Sequence, residues 1–210
     1  MRYNYIAIEG NIGAGKTCLS SMIAEQFNGK LILEQFEDNS FLPKFYKEPD
    51  KYAFPLEMSF LAERYQQLKD QLTKQDLFKQ FTISDYLFTK SLIFARNNLQ
   101  ADEFALFSTM FTIIDEFLPK PELLVYLYLE VPNLQRNIRN RGRTYEQEIQ
   151  DSYLQNIQEG YLEHIRKIKN LRILIIDTNN IDFVNNPGDY QSILSLLDQD
   201  YSMGIHRFTL

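Results

Sequence analysis

Apolar positions along the chain alternate between two rhythms, one of strand type and one of helix type. Tyr5–Glu9 is a short, continuous, β-prone run that stops at Gly10, and Lys16–Phe27 then carries apolar residues at helical spacing. Asn28-Gly29 supplies the left-handed stop that a helix end favours, and Lys30–Glu34 predicts a second strand. A short helix is expected over Pro43–Glu48 and a long one over Phe54–Leu72, with Leu56, Phe60, Leu61, Leu68 and Leu72 on its apolar positions. Phe78–Ser84 predicts a third strand, followed by helices over Asp85–Asn98 and Asp102–Phe117. Pro119 and Pro121 then punctuate the approach to a strand at Leu123–Leu129. Helices at about Leu134–Arg141 and Ile149–Ile168 lead to a fifth strand, Arg172–Asp177, while Tyr201–Leu210 reads either as a tail or as an edge strand. The alternation implies an α/β fold: a five-stranded parallel sheet flanked by helices, with ligand-binding loops at the strand carboxyl ends. No repeat, low-complexity stretch or linker divides residues 1–210, so a single domain is expected.

Composition narrows the partners. A net charge of -6, from 22 basic and 28 acidic side chains, provides no general positive field and argues against a nucleic-acid polymer as ligand. A small anion such as ATP stays open, because local donors outweigh a modest overall charge at close range. The single Cys18 cannot form an internal disulfide and Met1–Tyr5 has no secretory character, so the expected compartment is the cytoplasm. The longest apolar run, Leu123–Leu129, is strand-sized, whereas a membrane helix needs about 20 such residues. No membrane span is expected.

The chemistry begins at Gly10-Asn11-Ile12-Gly13-Ala14-Gly15-Lys16-Thr17, which satisfies Gly-x-x-x-x-Gly-Lys-[Ser/Thr] between a predicted strand and a predicted helix. Glycines let backbone N–H groups turn inward around phosphate oxygens, and the helix opening near Gly15 adds the positive end of its dipole. Lys16 then reaches the β- and γ-phosphates of ATP, and Thr17 offers its hydroxyl to Mg²⁺. GTPases and motor ATPases share this loop, but a GTPase carries Asp-x-x-Gly after its third strand, and no aspartate here has glycine three residues later. Thr73-Lys74-Gln75-Asp76 has the form of a guanine-reading Thr-Lys-x-Asp, yet it precedes a strand instead of following one. Glu34, at the predicted end of the strand beside the phosphate loop, is placed to accept the proton of an attacking hydroxyl. Arg141 and Arg143 flank Gly142 at a predicted helix end, which suits a mobile lid whose guanidinium groups clamp a transferring phosphoryl group.

Taken in order, the Gly10–Thr17 loop, Glu34, Phe45-Tyr46, Glu57 with Arg64 seven residues on, Phe94-Ala95, and Arg141-Gly142-Arg143 followed by Glu146 make the chain resemble a deoxynucleoside kinase over nearly its whole length. That family includes deoxyadenosine, deoxyguanosine and deoxycytidine kinases. The resemblance implies a P-loop kinase fold with an arginine lid and transfer from ATP to the 5′-hydroxyl of a deoxyribonucleoside. It implies Glu34 as general base, Tyr46 with Glu146 on the sugar 3′-hydroxyl, Glu57 and Arg64 at the base edge, Phe94 stacked on the base, and a homodimer. It also gives Asp85 an acidic, Mg²⁺-linked role and places Asp182, in Asn180-Ile181-Asp182-Phe183, beside the adenine of ATP through backbone contacts. Similarity to bacterial deoxyadenosine kinases puts deoxyadenosine ahead of deoxyguanosine.

Two departures from the family pattern matter. Relatives read the base edge with glutamine where this chain has Glu57; an ionised carboxylate only accepts, and guanine offers adjacent donors where adenine or cytosine offers one exocyclic amine. Ser84-Asp85-Tyr86 lacks the arginine that relatives carry after the acid, with Lys90 as a substitute. Phe94 is equally compatible with a core position, and Asp182 with turn chemistry. His164 and His206 have no partner spacing for a metal. Two other readings fit less well. A nucleoside monophosphate kinase of the thymidylate kinase type needs basic residues for an acceptor phosphate, where this chain puts acidic Glu34. A non-catalytic nucleotide-binding regulatory module has no need for Lys16, Thr17, Glu34 and the lid arginines together.

Overall fold

The structure is a computed structural model that describes residues 1–35, 39–74 and 76–210, so Gln75 of the Thr-Lys-x-Asp run lies outside the described residues. In chain order it comprises β1 (Tyr5–Gly10), α1 (Lys16–Gln26), β2 (Lys30–Ile32), α2 (Leu42–Lys47), α3 (Pro49–Thr73), β3 (Thr82–Ser84), α4 (Lys90–Asn98) and α5 (Ala101–Asp115). There follow β4 (Leu123–Tyr128), α6 (Val131–Arg141), a 3-10 turn (Thr144–Glu146), α7 (Asp151–Lys167), β5 (Arg172–Asp177), α8 (Pro187–Leu197) and β6 (Gly204–Thr209). The strands form one parallel sheet in the order β2-β3-β1-β4-β5-β6. From β1 the chain runs outward to β2, returns to β3, and then crosses β1 to build the other half. That reversal leaves a crevice at the carboxyl ends of β1 and β3, where ligands of open α/β sheets bind.

The sheet therefore has six strands instead of the expected five. β6 is the edge-strand alternative for the final segment: its residues alternate between half-buried and exposed, and pairing with β5 at Ile173↔Ile205 and Ile175↔Arg207 gives it strand form. One such half-wet strand carries too weak an apolar signal to stand out. α8 was also missed, although Asn186 caps the Gly188 amide at 2.9 Å, Pro187 opens the helix, and Ile193, Leu194, Leu196 and Leu197 are buried. The helix expected from Asp85 starts only at Lys90, and α3 starts at Pro49, upstream of the Pro55 that it contains.

Alternation along the strands divides the core by sheet face. Ile6, Ile8, Val125, Leu127, Leu174 and Ile176 point to the face covered by α1, α6 and α8. Ala7, Leu124, Tyr126, Ile173 and Ile175 face α4 and α7. Strands buried on both faces read as continuous apolar runs, which is why β1, β4 and β5 were visible in the sequence. α3, α4 and α5 pack around Phe88, Phe107 and Phe111 as a separate cluster. No described helix is long and apolar enough to cross a membrane.

Truncating a strand residue at the centre of this packing should be costly: Leu174→Ala, at a fully buried position, is expected to lose about 2–5 kcal/mol in urea denaturation. By contrast Leu77→Ser, at an 88% exposed position, should stay within about 0.5 kcal/mol of the parent.

Candidate active site

Backbone shape makes the phosphate cradle. Gly13 and Gly15 have φ of 84° and 87°, in the left-handed region, and a Cβ on either would come within 2.8 Å of Leu134 O or Phe183 Cζ respectively. No side chain caps the first amides of α1, which leaves them directed at an anion. Lys16 Nζ donates to Asn11 O at 2.9 Å across the loop, and Asn137 Nδ2 of α6 donates to Gly13 O at 2.9 Å, tying the loop to the helix behind it. Partial burial, with Lys90 nearby, lowers Lys16 to about 8 despite the opposing pull of Glu9, Glu34 and Asp85. Beneath the loop, buried Glu9 accepts from the amides of Gly10 and Leu87 and from Tyr161 Oη, at 3.2, 2.7 and 2.9 Å. It thereby joins β1, the approach to α4, and α7.

A second cleft opens beside the cradle, and Glu34 stands in it between two cations. Arg64 of α3 donates through Nε and Nη2 to Glu34 Oε1 at 2.9 and 2.7 Å, and Lys90 Nζ of α4 reaches Oε2 at 2.6 Å. Burial alone would raise the Glu34 carboxyl, but Lys90 and Arg64 outweigh it and hold it at about 2. Lys90 thus brings a cation to Glu34, while Tyr86, the residue after Asp85, is buried with its hydroxyl donating to Gln67 Oε1 at 2.5 Å. Arg64 is fixed in turn by Ser91 Oγ at 2.8 Å and lies over the Phe60 ring at 4.5 Å. Asp85 accepts from the Glu34 amide at 2.7 Å and from Thr17 Oγ1 at 2.5 Å, a reach made possible because residues 85–89 form a loop and not the expected helix.

Deeper in the same cleft, Glu57 is 1% exposed and its Oε1 accepts from Asn98 Nδ2 at 2.7 Å, while Oε2 is buried with no hydrogen-bond partner. Burial raises this carboxyl to about 7, against the lowering influence of Arg64 and the Asn98 bond. Phe94 is half-buried on the cleft wall, edge-on to Tyr161 and with Lys90 Nζ 5.4 Å from its ring, so it has both a core side and a cleft side. Tyr46 and Glu146 line the cleft opposite, Tyr46 being stacked on Tyr145.

The cradle opens into a further, larger cleft bordered by Asp182 and Phe183. Lys16, Thr17, Arg141 and Arg143 line both clefts and so mark their junction. Gly142, with φ of 75°, ends α6 and turns the chain so that Arg141 and Arg143 both contact Glu146. Ligand oxygens can compete for these guanidinium groups. The Asp182 carboxylate is occupied by the Val184 and Asn185 amides and Asn185 Nδ2, the turn chemistry anticipated as its alternative, while its own N–H donates to Asp189 Oδ2 at 2.7 Å and its carbonyl accepts from the Asn186 amide at 2.8 Å. Thr17 and Asp85 present a hydroxyl and a carboxylate at the junction, hard oxygen donors that fit Mg²⁺. Held there, the ion would neutralise charge on phosphate oxygens.

Lys16, Thr17, Glu34, Tyr46, Glu57, Arg64, Asp85, Phe94, Arg141, Arg143 and Glu146 converge on the crevice, whereas the Asn11 side chain is buried against Leu154 O at 2.7 Å and the Asp182 carboxylate is engaged by its own turn. Glu9 and Asn98 were missed. Glu9 had a signal, an acid in an otherwise apolar strand; Asn98 lies one turn beyond Phe94 on α4, a spacing legible only once the Phe94 face is known to line the cleft.

A P-loop cradle meeting an acid-bearing cleft at Arg141 and Arg143 is the arrangement of a P-loop kinase fold. The profile of the family "Deoxynucleoside kinase" matches residues 6–200, and the chain belongs to that family. It is 37% identical over 195 residues to the deoxyguanosine kinase of Bacillus subtilis (strain 168), covering 90% of this chain and 93% of the relative. It is 26% identical over 201 residues to the deoxyadenosine/deoxycytidine kinase of the same organism, covering 92% and 90%. The fold is shared with a solved deoxyadenosine kinase from M. mycoides with bound dATP, at a TM-score of 0.80 and 22% identity over 93% of this chain and 100% of that one. The chain is thus an enzyme of the deoxynucleoside kinase class.

The Glu34 triad gives a pH signature. A carboxyl lowered from 4.5 to about 2 stabilises the fold above 4.5, and that contribution is lost as pH falls through about 2. Between these values wild type should lose unfolding free energy more steeply than Glu34→Gln, which has no carboxyl to titrate there. Equal slopes in acid denaturation would count against the triad.

Proposed function

We propose that the enzyme transfers the γ-phosphate of ATP to the 5′-hydroxyl of a purine deoxyribonucleoside, with Mg²⁺ at Thr17 and Asp85. The observation that carries this reading is the meeting of two clefts at Lys16, Thr17, Arg141 and Arg143, with the Glu34 carboxylate on the acceptor side. In it, ATP lies with its polyphosphate in the Gly10–Thr17 loop and its adenine beside the loop of Ile181, Asp182 and Phe183. The nucleoside lies in the smaller cleft, its 5′-hydroxyl donating to Glu34, its sugar at Tyr46 and Glu146, and its base between Phe94 and Glu57. A carboxylate held at about 2 is a weak base, which is adequate when the hydroxyl proton leaves late in a loose phosphoryl transfer. Arg141 and Arg143 then exchange Glu146 for phosphoryl oxygens as charge shifts.

For the base, deoxyguanosine replaces deoxyadenosine as the first substrate at neutral to alkaline pH. Two things favour this order: the ionised Glu57 carboxylate accepts from the adjacent N1–H and 2-amino donors of guanine, and the 37% identical relative is a deoxyguanosine kinase. The whole chain acts as one catalytic domain, in the cytoplasm, given a single exposed Cys18.

The apolar stripe of Leu106 and Ile113 on α5, continued by Phe117 past its end, is 54%, 59% and 69% exposed and forms the contact of a homodimer in this reading. Leu106→Glu with Ile113→Glu should convert a dimer to a monomer in sedimentation velocity; a wild-type monomer would remove the assignment.

A panel of nucleosides and nucleoside monophosphates, assayed for ATP consumption, tests the activity. Nucleosides should turn over and monophosphates should not. Glu34→Gln should lower kcat by about 10²–10⁴-fold while leaving the KM for ATP nearly unchanged. Undiminished turnover in that variant would remove Glu34 from the reaction.

A further inference from the structure

Glu57 has an arrangement suited to two different hydrogen-bond partners. Oε1 is held by Asn98 Nδ2 at 2.7 Å, and Asn98 is oriented in turn by Asn97, whose Nδ2 donates to Asn98 Oδ1 at 3.0 Å. Oε2, buried and without a partner in the cleft that receives the nucleoside, calls for one. Because Asn98 donates to Oε1, the proton of a neutral Glu57 sits on Oε2. The side chain then presents a donor on Oε2 and a spare acceptor lone pair on Oε1. Ionised, the same two oxygens are acceptors only.

These two faces complement two different purines. Adenine offers an acceptor at N1 next to the 6-amino donor, which pairs with the neutral acid. Guanine offers donors at N1 and the 2-amino group, which pair with the carboxylate. We propose that Glu57 is a protonation-dependent reader of the purine edge, taking deoxyadenosine as the neutral acid and deoxyguanosine as the carboxylate, so that one site serves both nucleosides in a ratio set by pH. This rests on the nucleoside kinase reading above and deepens it.

The surroundings place the changeover near neutrality. Burial raises Glu57 to about 7; Arg64 on its own helix, the Asn98 bond and Lys90 from α4 pull it down, and Glu34 after β2 pushes it up. Tyr153 of α7 faces it as a neutral phenol, its own ionisation pushed upward by burial and by Glu57. Tyr46 from α2, Lys16 of α1, Asp85 after β3 and the paired Arg141, Arg143 and Glu146 complete the charged and titratable lining of the cleft.

The test is kcat/KM for deoxyguanosine and for deoxyadenosine from about pH 6 to about pH 8, a range in which neither base titrates. Effects on the phosphate donor or on Lys16 act on both substrates and cancel in the ratio. The deoxyguanosine-to-deoxyadenosine ratio should rise at least about tenfold with pH, with opposite inflections at one free-enzyme value near 7. Glu57→Gln, whose amide offers donor and acceptor at every pH, should give a flat ratio. Calorimetry on the wild type alone supplies a second reading: at about pH 7, deoxyadenosine binding should take up about half a proton and deoxyguanosine binding release about half. A flat wild-type ratio, or proton exchange of the same sign for both nucleosides, overturns the proposal while leaving the kinase intact. Absence of phosphorylation of either nucleoside at any pH overturns the purine nucleoside reading and this proposal with it.

Discussion

The Glu34 carboxylate, held between Arg64 and Lys90 with its side chain 10% exposed, is the interaction on which the arrangement of the site depends. Its three members come from different elements: the end of the β2 segment, α3 and α4. Taking three charges out of water is costly, and the cost is offset only when each polar atom finds a partner. Here Arg64 also bonds Ser91, and the Glu34 amide bonds Asp85, which bonds Thr17 at the mouth of the cradle. A continuous chain of hydrogen bonds thus runs from α3 to the first turn of α1. Losing one member would misplace the others, because none has solvent to fall back on.

The same network reconciles an acidic protein with anionic ligands. The chain carries a net charge of -6, yet Lys16, Arg64, Lys90, Arg141 and Arg143 gather around one crevice. Each has an acid against it or close by: Glu34 for Arg64 and Lys90, Glu146 for the lid arginines, and Glu9 under Lys16. In the proposed reaction the phosphate oxygens take over partners that the protein's own carboxylates hold in their absence. Local field, and not overall charge, governs what the crevice attracts.

Much of this was legible in the residues. The loop Gly10–Thr17 needs only glycine, lysine and threonine at fixed offsets between a strand and a helix, so its role is written locally. Buried parallel strands such as β1, β4 and β5 announce themselves as unbroken apolar runs. β6 and α8 were harder, since a half-exposed strand and a short helix after Asn186-Pro187 owe their form to the partner they pack against. Lys90 was noticed, but only as a substitute for a missing arginine; its grip on Glu34 crosses 56 residues of chain.

The sequence by itself determined the Gly10–Thr17 loop, the α/β alternation and which side chains are candidates for chemistry, because these follow from residue type and short-range spacing. Only the tertiary structure decided their states. Glu34 and Glu57 are the same residue type in one cleft, yet paired cations hold the first at about 2 and burial lifts the second to about 7. Protonation is set by the whole three-dimensional surroundings of a carboxyl, and no local pattern of residues contains that information.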